Sequence, residues 1–482
     1  VRPFNDLTAA RDYARTQKTQ SSRAEIIIKS GTYNIKDGFS LGEEDNYTLY
    51  RAYGNDTPVL SGGNVLSLTD FSVSDDARLK DEVKGKVYKI NLSEKGIEAP
   101  KLNIIGHSTE ELKSAGFSAG STDSIVTANG EMLRPARYPN EGYMTVKSVL
   151  QNGSAANKQP MKFSVDTDTS KWGDKNAMVF GYWYYDWSDQ SAPVASIENN
   201  VITTTVPSGY GIREGQKFYI YNLLEELDVP GEWYYDKETG DFFIYPPENC
   251  EQITVCSKSC NLIDIFGAQS IELRGLSLEN SGYDGISIRN SKFVTVSNCE
   301  VKNTAGYGIK AYGNNIAVLE NTVHSTGTSG IGTGGGSTAS LTPCANVIRG
   351  NGIYDTSKIV TRYTPNLRIE GVGVKAEMNK LYNAPHCAVI FGGNDHVITK
   401  NEIYNVLCDS SDSGAIYSGR SMIRRGTEIT ENYIHDLKTS SDYGLIYGIY
   451  LDDCMSGISM RKNRFENISG TGIFINGGRN NE

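Results

Sequence analysis

The chain has 482 residues, with 50 glycines, 14 prolines and twice as many tyrosines (29) as phenylalanines (14), a mix that suits many short strands and tight turns and argues against a helical protein. Its formal net charge is −10 with no sustained Lys/Arg run, which argues against a nucleic-acid binder. No stretch of about 20 apolar residues is present, so no membrane span is expected. The eight cysteines show neither a compact disulfide framework nor four ligands at zinc-finger spacing, although Cys250, Cys256 and Cys260 cluster. They read mostly as small buried apolar residues, and neither a metal nor a cofactor is implied.

The chain opens abruptly at Val1-Arg2-Pro3-Phe4, as a processed or trimmed N-terminus would. Asp6 is placed to cap a helix from Leu7 to about Lys18, with Leu7, Ala10 and Ala14 at helical spacing. Such a helix covers the open end of a solenoid. Strands cut by glycine turns follow at residues 25–29 and 47–53. Residues 105–250 differ: they hold all four tryptophans, Trp172, Trp183, Trp187 and Trp233. There Glu232-Trp233-Tyr234-Tyr235 leads through Thr239-Gly240 into Asp241-Phe242-Phe243-Ile244-Tyr245, a hairpin pattern. This reads as a β-rich, barrel- or sandwich-like domain inserted between the cap and first rungs (1–104) and a main solenoid (251–482).

From about residue 255 a repeat is explicit. An asparagine followed by an alternating apolar segment recurs at Asn298, Asn321, Asn351, Asn379, Asn401, Asn432 and Asn463, at spacings of 23, 30, 28, 22, 31 and 31. Glycine followed by apolar residues recurs at Gly285, Gly308, Gly414, Gly448 and Gly472. A minimum period near 22 with period-2 alternation predicts an all-β fold, a right-handed parallel β-helix. The leucine pattern of a leucine-rich repeat is missing. Spacings above the minimum place longer loops around residues 325–345, 405–412 and 436–446, and loops on a rigid scaffold are where sites are built. The asparagines themselves read as turn residues that satisfy stacked backbone groups.

Carboxylates are the main chemical candidates. Asp409 and Asp412 end a polar loop, and Asp452 and Asp453 end the strand that follows one rung later. Rungs lie about 4.8 Å apart, so such groups fall within the roughly 5–9.5 Å that glycoside hydrolysis uses. A pair of this kind supplies an acid with a raised pKa and an ionised base or nucleophile. Three of the five histidines, His386, His396 and His435, fall near the same rungs without any standard metal-ligand spacing. Arg420, Arg424, Arg425 and Arg479 surround the region. Tyr417, Trp183 and Trp187 are candidates to stack on sugar rings, although packing suits the two tryptophans better.

The chain resembles the bacterial β-helix enzymes of glycoside hydrolase family 141 and their relatives along nearly its whole length. The resemblance rests on Ser30-Gly31-Thr32-Tyr33, Pro58-Val59-Leu60-Ser61-Gly62-Gly63, Arg137-Tyr138-Pro139-Asn140 and Pro230-Gly231-Glu232-Trp233. It rests most on Ala384-Pro385-His386, Gly392-Gly393-Asn394-Asp395-His396, Asp412-Ser413-Gly414-Ala415-Ile416-Tyr417, Tyr450-Leu451-Asp452-Asp453 and Gly477-Gly478-Arg479. It implies an aspartate-dependent hydrolase of fucoside- or xyloside-type polysaccharides or oligosaccharides. The catalytic role falls on Asp412 and on the Asp452-Asp453 pair, with Asp453 preferred. His386, Asp395, His396, Tyr417, Arg420, His435 and Arg479 would orient them or bind sugar hydroxyls. The sequence departs from the family where Gly419-Arg420 runs into Ser421-Met422 instead of Asp-Trp, and where it stops at Asn480-Asn481-Glu482 while relatives continue. A carbohydrate is the expected partner and a secreted, cell-surface or periplasmic setting the expected location; the oligomeric state is open. Two other readings stand beside this one: a polysaccharide lyase with calcium held by Asp409, Asp412, Asp452 and Asp453, and a non-catalytic glycan-binding β-helix.

Overall fold

A computed structural model describes residues 3–18, 22–173 and 175–482. Val1 and Arg2, where a processed start was expected, lie outside the described residues. The chain divides into two compact units, Val1–Gly62 with Ser259–Glu482, and Gly63–Lys258.

The first unit is a right-handed parallel β-helix of three ten-stranded sheets. Each rung gives one strand to each sheet; Val397–Thr399, Glu402–Val406 and Ser413–Ser418 make up one such rung. Pairing is parallel and in register, so side chains of one type stack. In the first sheet Val296, Val318, Ile348, Ala376, Ile398 and Ile429 form one inward row, every member at 0% exposure. Alternation of period 2 sends the neighbouring residues outward, and each fully buried branched side chain adds ~1.5–3 kcal/mol. The helix Leu7–Gln17 forms as the sequence predicts: Asp6 accepts from the Ala9 N–H at 2.7 Å, and Leu7 is buried with Ala10 and Ala14 packed against the solenoid core.

The asparagine repeat is a continuous ladder at the turn between the first and second sheets. From Asn321 to Asn463, each Nδ2 donates to the Oδ1 of the next asparagine at 2.9–3.0 Å. The same Oδ1 accepts the backbone N–H of the asparagine before it. The remaining amide hydrogen reaches a backbone carbonyl, as from Asn401 to Ala376 and from Asn432 to Ile398. Inside the ladder an amide therefore makes all four of its bonds. Asn298 is not a member. The ladder position of its rung is Cys299, whose N–H donates to Asn321 Oδ1 at 2.9 Å. Asn298 sits one residue earlier, at a left-handed turn position shared by Glu320, Gly350, Met378, Lys400, Glu431 and Lys462.

The second unit has two mainly antiparallel sheets. It starts earlier and ends later than the sequence suggested. Residues 64–104, expected among the first rungs, instead hold Asn64–Ser67, which pairs antiparallel with Gln252–Cys256, and Tyr88–Asn91, which pairs antiparallel with Asp241–Tyr245. Alternating strands of this length look the same in sequence whichever way they pair. The expected hairpin is present, Glu232–Tyr235 with Asp241–Tyr245, and its turn glycine, Gly240, has φ +78°. Five cysteines, Cys250, Cys256, Cys299, Cys344 and Cys387, are buried. Among the described residues no helix is long and apolar enough to cross a membrane.

Candidate active site

The last rungs of the third sheet carry the two acidic clusters. Strand Ser413–Ser418 pairs with Ile446–Leu451 so that Ile416 meets Ile449, Tyr417 meets Tyr450 and Ser418 meets Leu451. Ile416 and Ile449 point inward at 0% exposure, so Tyr417 and Tyr450 point out, one above the other, ring centroids 5.5 Å apart and edge to face. Asp412 precedes the first strand with φ +52°; Asp452 follows the second.

The Tyr450 hydroxyl lies between these acids, 3.1 Å from Asp412 Oδ1 and 3.0 Å from Asp452 Oδ1, which holds the two carboxyl oxygens within about 6 Å of each other. A phenol has one proton, so it donates to one carboxylate at a time. The other contact is a hydrogen bond only if that carboxyl is itself protonated. Asp452 has further donors: Tyr417 Oη at 3.0 Å, Asn476 Nδ2 at 3.0 Å and the Asp453 N–H at 2.8 Å. Asp412 is differently placed. Desolvation lifts its carboxyl above the usual range, the Tyr450 hydrogen bond opposes that, and the negative charges of Asp452 and Asp453 add to the rise. Burial first, and then neighbouring Tyr363 and carboxylates, keep the Tyr417 and Tyr450 phenols protonated.

Asp453, preferred on sequence, makes no contact with Tyr450 and shares Asn476 Nδ2 with Asp452, at 3.5 Å. It is exposed, has φ +37°, and meets Arg420 Nε at 3.4 Å. Asp452 is the acid that shares Tyr450 with Asp412. Arg420 therefore stands at the rim of the site. His386 is buried behind it: its Nε2 is 2.9 Å from Ser413 Oγ, next in chain to Asp412, and its ring lies 4.9 Å from Tyr363, which in turn lies 5.9 Å from Tyr417.

The other candidates are elsewhere. His396 is at 0% exposure, accepting the Val374 N–H on Nδ1 and donating from Nε2 to the Gly392 carbonyl at 2.8 Å; burial lowers its pKa, so it is a neutral structural residue. Asp395, beside it, is an exposed turn residue with φ +57°. His435 belongs to the second sheet, stacked between Tyr404 and Tyr433 and paired with Asp436 at 2.8 Å. Arg479 is an exposed turn residue whose backbone bonds Ser456 and Gly457. Asp409 pairs at 2.9 Å with the fully buried Arg362. Among the described residues no group of three or more His, Cys, Asp or Glu is placed to hold a metal ion, so the four aspartates considered for calcium do not converge. Trp183 is a core residue of the second unit, packed on Phe163 and Phe218, and Trp187 stacks on Tyr185 at 4.7 Å. Sequence reasoning missed Tyr450 and Tyr363. The signal for Tyr450 was available: Ala415-Ile416-Tyr417 and Gly448-Ile449-Tyr450 align one rung apart.

Fold and site together describe a parallel β-helix with an acid pair on its outer surface. Residues 248–367 match the family described as right handed beta helix region. A solved structure described as a glycoside hydrolase superposes with a TM-score of 0.69 at 15% identity, over 98% of this chain and 92% of that one; at that identity the likeness is one of fold. An Azotobacter vinelandii mannuronan C-5 epimerase A-module gives a TM-score of 0.36 at 14% identity, over 46% of this chain and 62% of that one. A Paenibacillus alginate lyase gives 0.36 at 14% identity, over 47% and 78%. No curated protein sequence matches the chain.

Proposed function

We propose that this protein is a glycoside hydrolase acting on a polysaccharide or oligosaccharide, with Asp412 as general acid and Asp452 as nucleophile. The observation that carries the reading is the single Tyr450 hydroxyl shared by two carboxyls, one of them raised in pKa. The family 141 motifs support it, as does the fold shared with a glycoside hydrolase, and they favour a fucoside or xyloside and a secreted or cell-surface setting. Asp412 gives its proton to the glycosidic oxygen as the C–O bond breaks, and Asp452 Oδ bonds to the anomeric carbon. Water then attacks that carbon, Asp412 takes its proton, and Asp452 leaves. A separation within about 6 Å sits nearer the roughly 5–5.5 Å of retaining enzymes than the wider gap of inverting ones, so the sugar leaves with its configuration retained.

The test is a panel of aryl fucosides and xylosides with the parent, Asp412→Asn and Asp452→Asn. Asp452→Asn is expected to lose about 10³-fold or more in kcat. Asp412→Asn should lose most on substrates with poor leaving groups, which need the acid. Undiminished activity in both variants rejects the assignment, and an inverted product by NMR rejects the nucleophile role of Asp452.

A further inference from the structure

We infer that the outer face of the third sheet carries a second sugar-binding position beside the catalytic pair, formed by Glu370, Arg424 and Tyr312. It would take the next residue of a glycan chain running along the solenoid axis. The inference rests on the hydrolase reading above and extends it to substrate length.

Register places these groups in line. Ile369 pairs with Phe391 and Ser418 with Leu451, so one residue further on Glu370 stands beside Gly392, and Gly419 beside Asp452. Tyr312 pairs with Gly334, the neighbour of Glu370 on its other side. The outward side chains lean along the axis over these small residues. A Cβ on Gly419 would lie 2.9 Å from Tyr417 Oη and 3.1 Å from Asp452 Cβ. One on Gly392 would lie 2.8 Å from Glu370 Oε2 and 3.5 Å from the Arg424 guanidinium. One on Gly334 would lie 2.9 Å from Glu370 Cβ and 3.1 Å from the Tyr312 ring. Arg424 Nη1 also donates to the Gly419 carbonyl at 3.3 Å, which ties the position to the residue beside Asp452. Arg368 Nη1 lies 3.6 Å from Glu370 Oε1 and steadies that carboxylate.

The chemistry suits a sugar. A carboxylate accepts and a guanidinium donates, so side by side they match a pair of neighbouring hydroxyls. The Tyr312 phenol ring, two rungs further along the sheet, offers an apolar face with a polar tip. The rung spacing of about 4.8 Å is comparable to the length of one sugar residue.

The experiment uses the full chain and compares kcat/KM on the aryl glycoside of a single sugar with kcat/KM on the trisaccharide cut from the matching polysaccharide. For the parent the trisaccharide should be favoured by about tenfold or more. Gly392→Ala adds a methyl that meets only the far ends of flexible side chains, and it displaces the Glu370 carboxylate. It should lower the trisaccharide-to-single-sugar ratio by about fivefold or more, and Glu370→Gln should lower it in the same direction. A purely structural effect would lower both rates together and leave the ratio alone. An unchanged ratio in both variants, or a parent with no preference for length, overturns the proposal. If the parent cleaves neither substrate, the hydrolase reading has failed. Calorimetry with β-1,4-linked xylo-oligosaccharides of one to five units then decides the position by itself. Affinity that grows with length and is lost in Gly392→Ala supports it, and absent binding or unaltered affinity rejects it.

Discussion

In the solenoid one row of deeply buried polar side chains is made of neutral amides, Asn351 to Asn432 at 1% exposure, each bonded to copies of itself above and below. Buried polar groups outside such a row include carboxyls: Asp284 in the solenoid, which burial pushes up to about 6, and two in the unit Gly63–Lys258. Asp123 accepts the Asn103 N–H at 2.6 Å, and Glu232, at 0% exposure, lies 3.2 Å from Arg134 Nε; burial pushes both up to about 7. The contrast follows from repetition. An amide has two donors and two acceptors, so at a fixed pitch it completes its own bonding with no charge to desolvate. Where nothing repeats, a buried acceptor depends on whatever donors are at hand, and a carboxyl there responds to pH.

The largest expected effect comes from breaking the ladder. Asn401→Ala strips the acceptor from two donors of Asn379 and the donor from Asn432, and should cost about 3–5 kcal/mol in urea unfolding followed by circular dichroism. A loss under about 1 kcal/mol would mean that the ladder only fills space. A smaller effect is expected in the second unit, which holds all four tryptophans, so that fluorescence reports on it alone. Because the folded pKa of Asp123 is raised, its contribution to stability is fully present below the unfolded value and is lost as pH rises through about 7; Glu232 acts in the same direction. The tryptophan transition should weaken from pH 5 to pH 8, and Asp123→Asn should flatten that slope and gain about 1–3 kcal/mol at pH 8. A pH-independent transition in the parent would erase the contrast with the amide row. The smallest effect sharpens the solenoid side: Lys400 holds φ +56° where the equivalent residue two turns away is Gly350, so Lys400→Gly should stabilise by about 0.5–1 kcal/mol. A loss of stability there would show that the side chain, not the backbone, governs that turn.

The repeat, the capping helix and the two acidic clusters were legible because each follows from spacing along the chain. What spacing does not carry is lateral position. Asn298 looked like a ladder residue because asparagine also favours the left-handed turn just before it. Asp452 and Asp453 are adjacent and lie past a strand end, where period-2 alternation no longer assigns a direction, so only coordinates distinguish the acid at Tyr450 from the one at Arg420. His396 and His435 look alike in sequence, yet one is sealed in the interior and the other belongs to a different sheet. The unit boundaries near residues 62 and 258 depend on antiparallel partners almost two hundred residues apart, beyond any local pattern.

The parallel register between Ser413–Ser418 and Ile446–Leu451 also constrains how this site can change by descent. Residues gained or lost in the connection between those strands bulge outward and leave Asp412 and Asp452 where they are. Only duplication or deletion of an entire turn shifts one acid against the other, and then by a step of about 4.8 Å. The gap between the two acids is thus inherited in whole steps, insulated from the small insertions that most often reshape loops.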